Sequence, residues 1–127
     1  MHTVELVAPT GTEYLAPDDP LVLQIETAPE PLWLEPCRQI VLGRVHPQNP
    51  QRPDVDLGPY QGLDMGVSTR HAALTRQQND QLMIEDLASR NGTYLNGERL
   101  RPHTRYLVHS GDHVRMGNLC LQVYFGS

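Results

Sequence analysis

Short runs of strand-forming residues, separated by tight turns, fill the second half of the chain. The runs are HAALTRQ, QLMIEDL, TYLNGERL, TRYLVH, DHVRMG and LCLQVYF. Turn-forming pairs lie within or beside several of them: Asn79-Asp80, Asn96-Gly97, Gly111-Asp112 and Gly117-Asn118. No window has an apolar period of 3.6 residues that lasts for three helical turns. The pattern therefore predicts an all-β sandwich or barrel.

The first half of the chain is less regular. Residues 21–27 (LVLQIET) and 37–44 (CRQIVLGR) are predicted strands, and residues 3–7 are a possible short strand. Residues 45–66 contain four prolines and three glycines, which predicts a long loop that is functional or mobile. The 127 residues suit one domain. We expect this domain at residues 21–127, after an N-terminal extension or edge strand at residues 1–20.

Charge and hydropathy exclude several function classes. The formal net charge is -5 and the pI is about 5.6, so the basic face of a nucleic-acid binder is not expected. No apolar run approaches the roughly 20 residues that a membrane helix needs. The N-terminus lacks the basic start and long apolar stretch of a signal peptide. We therefore expect a cytoplasmic protein, or part of a larger cytoplasmic chain, that binds neither nucleic acid nor a membrane.

The cysteines and the tryptophan invite structural interpretations. Cys37 and Cys120 both lie in apolar, strand-like segments, which favours buried free thiols over a disulfide. Trp33 is expected to be a packing residue or a surface plug.

Three polar stretches interrupt the strands. They are Gly43-Arg44, the segment GVSTRHAAL at residues 66–74, and the segment SRNGT at residues 89–93. Together they offer guanidinium groups, hydroxyls, a carboxamide and loop N–H groups, and they contain no carboxylate. Such a donor-rich, locally cationic set suits a tetrahedral dianion such as a phosphate, and it suits a metal ion poorly because metals need acceptors. We expect neither a metal nor a cofactor.

In order along the chain, these motifs resemble those of the forkhead-associated (FHA) domain. The matching pieces are Gly43-Arg44, Ser68-x-x-His71, Asn91-Gly92-Thr93 and Asn96-Gly97. The resemblance implies a two-sheet β-sandwich of about 11 strands, with binding loops at one end. It also implies a module that binds a phosphothreonine-containing protein or peptide in Ser/Thr kinase signalling. The segment DVDLGPYQGLDMGVSTRHA resembles a bacterial variant of the domain.

The resemblance also implies residue roles. The phosphopeptide would be held by Arg44, Ser68, Thr69, Arg90 and Asn91. Arg70 and Asn96 are possible additional contacts. Many family members carry an arginine directly after the motif serine, whereas this chain has Thr69 there and its arginine, Arg70, one position later. The structural residues of the motif would be Gly43, His71, Gly92, Thr93 and Gly97. Asp54 and Asp56 are expected to brace the long loop, since their negative charge would repel a phosphate.

Other functions are weaker alternatives. Ser68 and His71 could form a nucleophile and base, but no nucleophile elbow such as G-x-S-x-G is present, so an enzyme is not expected. His103, His109 and His113 are more typical of exposed loop histidines than of metal ligands. The serious alternative is an FHA-fold scaffold that binds a partner independently of phosphate.

Overall fold

The computed structural model describes residues 19–35, 37–77 and 80–126. These residues form eleven strands and one short 3₁₀ helix, Gly58–Tyr60. The strands are β1 (Leu21–Ile25), β2 (Leu32–Leu34), β3 (Gln39–Gly43), β4 (Val55–Asp56), β5 (Arg70–Arg76), β6 (Leu82–Asp86), β7 (Thr93–Leu95), β8 (Glu98–Arg99), β9 (Tyr106–Val108), β10 (Asp112–Met116) and β11 (Leu119–Tyr124). The predicted all-β class and strand number are confirmed. The possible strand at residues 3–7 lies outside the described residues.

Two sheets make up the sandwich. The six-stranded sheet has the order β2-β1-β11-β10-β7-β8, and the five-stranded sheet has the order β4-β3-β5-β6-β9. The strand pairs are antiparallel except β3 and β4, which run parallel. No helix among the described residues is long and apolar enough to cross a membrane.

The core fills the space between the sheets. Alternate residues of β1 and β11 point into it, as a strand with a side-chain period of two requires. Leu21, Leu23 and Ile25 are buried from the first of these strands, and Leu121 and Val123 from the second. This alternation places Gln24 of β1 and Gln122 of β11 on the outer face of the sheet.

Two strands were not predicted. Residues 32–34 lie between prolines, and β4 is a two-residue strand inside the proline-rich loop. Both depend on pairing with a neighbouring strand: Trp33 lies opposite Val22, and Val55 lies opposite Leu42. Local sequence carries little signal for strands that tertiary pairing holds in place.

The expected burial of the cysteines is wrong, although both thiols are free. Cys37 is exposed because it precedes β3, and Cys120 is half-buried because it lies on the outer face of β11. Burial raises the pKa of the Cys120 thiol, and Glu26 raises it further. Trp33 is 64% exposed on the edge strand β2, so it is a surface residue.

The loops that carry the three polar stretches meet at one end of the sandwich. The Arg44 N–H donates to the Thr69 carbonyl, and the Gly117 N–H of the β10–β11 turn donates to the Gly92 carbonyl. The Asn118 N–H of the same turn donates to the Met65 carbonyl. These backbone bonds join the β3–β4, β4–β5, β6–β7 and β10–β11 connections into one loop cluster.

Candidate functional site

Gly43 closes β3 where that strand almost touches the β4–β5 loop. A Cβ atom at position 43 would lie 2.0 Å from the Thr69 carbonyl oxygen, so only glycine fits. A β-bulge at Leu42/Gly43 shifts the register there, and a bulge re-aims the following side chain. Arg44 follows at once, and its Nε donates to the Val67 carbonyl at 2.6 Å. The terminal guanidinium nitrogens of Arg44 carry no hydrogen bond to the described residues and can bind a ligand.

The Ser68 hydroxyl is held by the neighbouring β6–β7 loop. Its oxygen accepts a hydrogen bond from the Arg90 N–H at 3.1 Å. Because this bond uses an oxygen lone pair, the hydroxyl proton stays available to donate to a ligand. Thr69 is half-buried beside it, and the Thr69 carbonyl is occupied by the Arg44 N–H.

The buried side chain of His71 connects the β4–β5 loop to the β6–β7 loop. Its side chain is fully buried, and its Nδ1 accepts a hydrogen bond from the Ser68 N–H at 2.9 Å. The proton therefore sits on Nε2, which donates to the Gly92 carbonyl at 2.9 Å. Burial lowers the pKa of His71, and this effect exceeds the opposing effects of the Gly92 hydrogen bond and of Asp86. The neutral imidazole holds both loops in place and does not contact the Ser68 hydroxyl.

We expect the folded state to lose stability as the pH falls below the ordinary histidine pKa of 6.5. Folding lowers the pKa of His71. Between pH 6.5 and this lowered pKa, the unfolded chain therefore binds more protons than the folded chain does. The contribution of His71 is complete above this window and decreases through it by at most about 1.4 kcal/mol per pH unit. Urea unfolding from pH 7.5 to 5, with His71→Gln as the non-titrating control, measures the slope. An equal slope in the control would contradict the assignment.

A buried carboxylate organises the β6–β7 loop. Asp86, at the end of β6, accepts hydrogen bonds from the Ser89 N–H at 3.1 Å and the Ser89 hydroxyl at 2.5 Å. It also accepts from the Thr93 hydroxyl at 2.6 Å, and the Ser89 hydroxyl oxygen accepts from the Gly92 N–H. Burial alone would raise the pKa of Asp86, but the hydrogen bonds from Ser89 and Thr93 outweigh it and lower the pKa.

Sequence reasoning missed this organising role of Asp86 and Ser89. The available signal was Asp86-x-x-Ser89 at the end of a predicted strand, a spacing at which an Asp side chain can accept from the backbone N–H three residues on.

Asn91 lies across from the β4–β5 loop. Its Nδ2 donates to the Gly66 carbonyl at 2.9 Å, which leaves the amide oxygen available to accept from a peptide N–H. Gly66 has a φ of 85°, and a Cβ there would lie 2.6 Å from Asn91 Nδ2. Gly92 has a φ of 90° and turns the chain under Asn91. The Arg90 side chain is exposed and makes no hydrogen bond or ion pair with the described residues.

Asn96 and Gly97 form the turn between β7 and β8, with φ values of 51° and 88°. Asn96 Oδ1 accepts from the His113 N–H at 2.9 Å, so its carboxamide is engaged in the hairpin. Arg70 opens β5 opposite Gly43 and is half-buried. The structure therefore brings Arg44, Ser68, Thr69, Arg90 and Asn91 together, and it places Asn96 in the scaffold.

The acidic residues of the long loop are engaged with backbone N–H groups. Asp54 accepts from the Val41 N–H, and Asp56 accepts from the Val45 and Gly58 N–H groups. This geometry confirms that they brace the loop. His103 and His109 are exposed, with ring nitrogens near Glu85 and Asp112 respectively. His113 is also exposed but lies in β10, not in a loop.

Fold and site together define a β-sandwich recognition module whose hydrogen-bond donors converge at one end. The FHA domain model matches residues 40–117, which is more than half of the chain. The chain therefore belongs to the FHA family, whose domains are recognition modules for phosphorylated motifs.

Three known proteins illustrate the relationship. The E3 ubiquitin-protein ligase RNF8 of Bos taurus is 41% identical over 51 residues, which are 40% of this chain and 10% of that ligase. An Arabidopsis thaliana FHA domain has a TM-score of 0.67 and 28% identity, covering 85% of this chain and 86% of its own. The N-terminal FHA domain of S. cerevisiae Rad53p, solved with a phosphothreonine peptide, has a TM-score of 0.68 and 20% identity, covering 84% and 94%. The match thus spans about a tenth of the length of RNF8.

Proposed function

We propose that this FHA domain is a phosphothreonine-peptide recognition module, which mediates phosphorylation-dependent protein–protein interaction in Ser/Thr kinase signalling. The observation that carries the proposal is the hydrogen bond from the Arg90 N–H to the Ser68 hydroxyl oxygen, 3.1 Å long. This bond fixes the Ser68 hydroxyl and leaves its proton available to donate. Beside it, the guanidinium nitrogens of Arg44 and Arg90 that have no partner among the described residues are also donors. A phosphate dianion accepts from such a set, whereas a neutral ligand would leave several donors unpaired.

In this proposal each loop supplies a different contact. The terminal nitrogens of Arg44 and the Ser68 hydroxyl donate to phosphate oxygens, and Thr69 adds a hydroxyl or N–H contact. Arg90 lies beside the phosphate or the peptide, and the Asn91 amide oxygen accepts from the peptide backbone. Arg70 remains a possible further contact.

The proposal extends to the bounds of the domain, its location and its origin. We propose that residues 21–127 form the recognition domain after an extension at residues 1–20, that it acts in the cytoplasm, and that its loop variant is bacterial. We also propose that the chain has no catalytic activity. In support, the His71 ring accepts from the Ser68 N–H and not from its hydroxyl, so the two side chains are not arranged as a nucleophile and base.

The decisive experiment is a titration with three degenerate peptide libraries that contain phosphothreonine, phosphoserine or threonine at the fixed position. We expect micromolar binding of the phosphothreonine library, about -8 kcal/mol. Phosphoserine should bind about fivefold more weakly, because the buried γ-methyl contributes about 1 kcal/mol. Ser68→Ala should weaken phosphothreonine binding by at least about tenfold, since a hydrogen bond to a charged group is worth about 1.5–3 kcal/mol.

Thr104→Ala is the matched control, because it removes a hydroxyl that is exposed in the loop before β9. It should leave the affinity unchanged. Equal binding of phosphorylated and unphosphorylated libraries would favour the phosphate-independent scaffold instead. Ser68→Ala with wild-type affinity would contradict the proposed phosphate contact.

A further inference from the structure

Two arginines and a tyrosine form a row across three adjacent strands of the six-stranded sheet. Tyr94 on β7 lies opposite Arg99 on β8 and opposite Arg115 on β10. The Arg115 guanidinium lies 3.9 Å from the centre of the Tyr94 ring, and the Arg99 guanidinium lies 5.7 Å from it. Val114 and Met116 face the core, so Arg115 and the whole row lie on the outer face of the sheet. We call these three residues the arginine ladder.

The arginine ladder adjoins the β6–β7 loop at Arg99 and the β10–β11 turn at Arg115. A Cβ at Gly92 would lie 2.9 Å from Arg99 Nε, so this guanidinium is packed on the loop residue that follows Asn91. Arg115 Nη1 donates to the Gly117 carbonyl at 2.7 Å, and the Gly117 N–H donates to Gly92. The ladder is therefore an extension of the candidate site along the sheet.

Neither guanidinium of the ladder has a carboxylate partner among residues 19–35, 37–77 and 80–126. Glu98 precedes Arg99 on β8, where successive side chains point to opposite faces. Glu26 lies beyond Cys120, on the far side of that residue from Arg115. The two positively charged guanidinium groups therefore lie against the same Tyr94 ring, with no carboxylate among the described residues to neutralise them. An anionic ligand group would relieve their repulsion, and each planar guanidinium can bind a carboxylate or phosphate bidentately.

We propose that the arginine ladder is an accessory anion subsite, which binds a second anionic group of the same peptide beside the phosphothreonine. This inference rests on the proposed phosphopeptide function. The group is a carboxylate or a second phosphate, since both match the guanidinium fork. An extended peptide advances about 3.3 Å per residue, so each position along it places a second anionic group at a different distance from the phosphothreonine. The preferred partner is thus an acidic or doubly phosphorylated segment.

The test uses one phosphothreonine peptide with neutral flanks and a series in which aspartate replaces each flanking residue in turn. A further peptide carries phosphoserine at the most favourable position. Affinities are measured by fluorescence anisotropy at physiological salt for the wild type, Arg99→Gln and Arg38→Gln. Arg38 is a matched control, because it is an exposed arginine immediately before β3, at the opposite end of that strand from Gly43 and Arg44.

We expect aspartate at one or more positions to tighten wild-type binding by about threefold to tenfold, the range of one or two partly exposed charge contacts. Arg99→Gln should abolish this gain, so that this variant binds the aspartate peptides no more tightly than it binds the neutral peptide, while Arg38→Gln should keep the gain. A larger gain from phosphoserine than from aspartate would identify a doubly phosphorylated ligand; an equal or smaller gain would identify an acidic one.

Three results would overturn the inference: no aspartate position that tightens binding, a gain that survives in Arg99→Gln, or an equal loss in Arg38→Gln. The neutral peptide separates the two proposals. If the wild type binds it and ignores aspartate, only the accessory subsite fails. If the wild type binds no phosphopeptide, the proposed function fails and the subsite fails with it.

Discussion

Replacing Asp86 with alanine is expected to destabilise the domain by about 3–5 kcal/mol and to weaken phosphopeptide binding as well. The carboxylate accepts from the Ser89 N–H, the Ser89 hydroxyl and the Thr93 hydroxyl. Thr93 is fully buried, so its donor would be left without a partner or water, and each such loss costs about 1–3 kcal/mol. The total is a large part of the 5–15 kcal/mol that stabilises a typical domain. Urea unfolding at neutral pH measures it.

The binding loss has a separate cause. Ser89 holds the Gly92 N–H through its hydroxyl oxygen, and the intervening Arg90 and Asn91 are the proposed peptide contacts. Without the carboxylate the loop samples other conformations, so ordering it costs free energy on each binding event. We expect affinity to fall by about tenfold or more, measured by calorimetry at a temperature where the variant remains folded.

Glu85→Gln is the matched control for Asp86→Ala. Glu85 is the preceding residue of β6 and pairs with the exposed Arg105 at 3.2 Å. Because Arg105 is exposed and solvent screens its charge, the pair should contribute only about 1 kcal/mol, so this variant should resemble the wild type in both measurements. Asp86→Asn should be intermediate, because one amide oxygen can still accept while the new NH₂ group faces a donor. Stability of Asp86→Ala within 1 kcal/mol of the wild type would contradict the organising role.

The hydrogen-bonding role of Asp86 could not be predicted from the sequence, although the strand that carries it could. The strands around it were predictable because alternating apolar residues and turn-forming pairs are visible in the local sequence, as in Leu82–Asp86 and the Asn96-Gly97 turn. The acceptor role of Asp86 exists only after the β6–β7 loop closes over it. The strands β2 and β4 were missed for a related reason, since their residues become strands by pairing with β1 and β3.

The arginine ladder is another feature that the sequence does not display. Tyr94, Arg99 and Arg115 are spread over 22 positions, and the registers of β8 with β7 and of β7 with β10 align them. A shift of one residue in either register would send the side chains to the opposite face. The recognition motifs themselves were found because the resemblance supplied their order. Their hydrogen-bond geometry, such as the tautomer of His71, required the structure.

Replacing Arg44 with alanine is expected to weaken phosphothreonine-peptide binding by about tenfold to a hundredfold, with little loss of stability. The guanidinium Nε already donates to the Val67 carbonyl, so a bound phosphate would meet terminal nitrogens that are fixed in orientation before binding. A charge-assisted hydrogen bond contributes about 1.5–3 kcal/mol, which sets the range. The lost bond to Val67 costs the fold only about 1 kcal/mol, because Arg44 is half-buried and water can replace it.

Arg44→Lys and Arg38→Ala separate geometry from charge in this prediction. Lysine keeps the positive charge but lacks the planar fork, so it cannot hold the Val67 carbonyl and a phosphate at once in the same geometry. It should recover only part of the lost affinity. Arg38→Ala removes an equal charge near the other end of β3 and should change affinity by less than about twofold, because at physiological salt screening acts beyond about 8 Å. Full recovery by lysine would show that Arg44 acts as a point charge, and wild-type affinity in Arg44→Ala would remove it from the phosphate site.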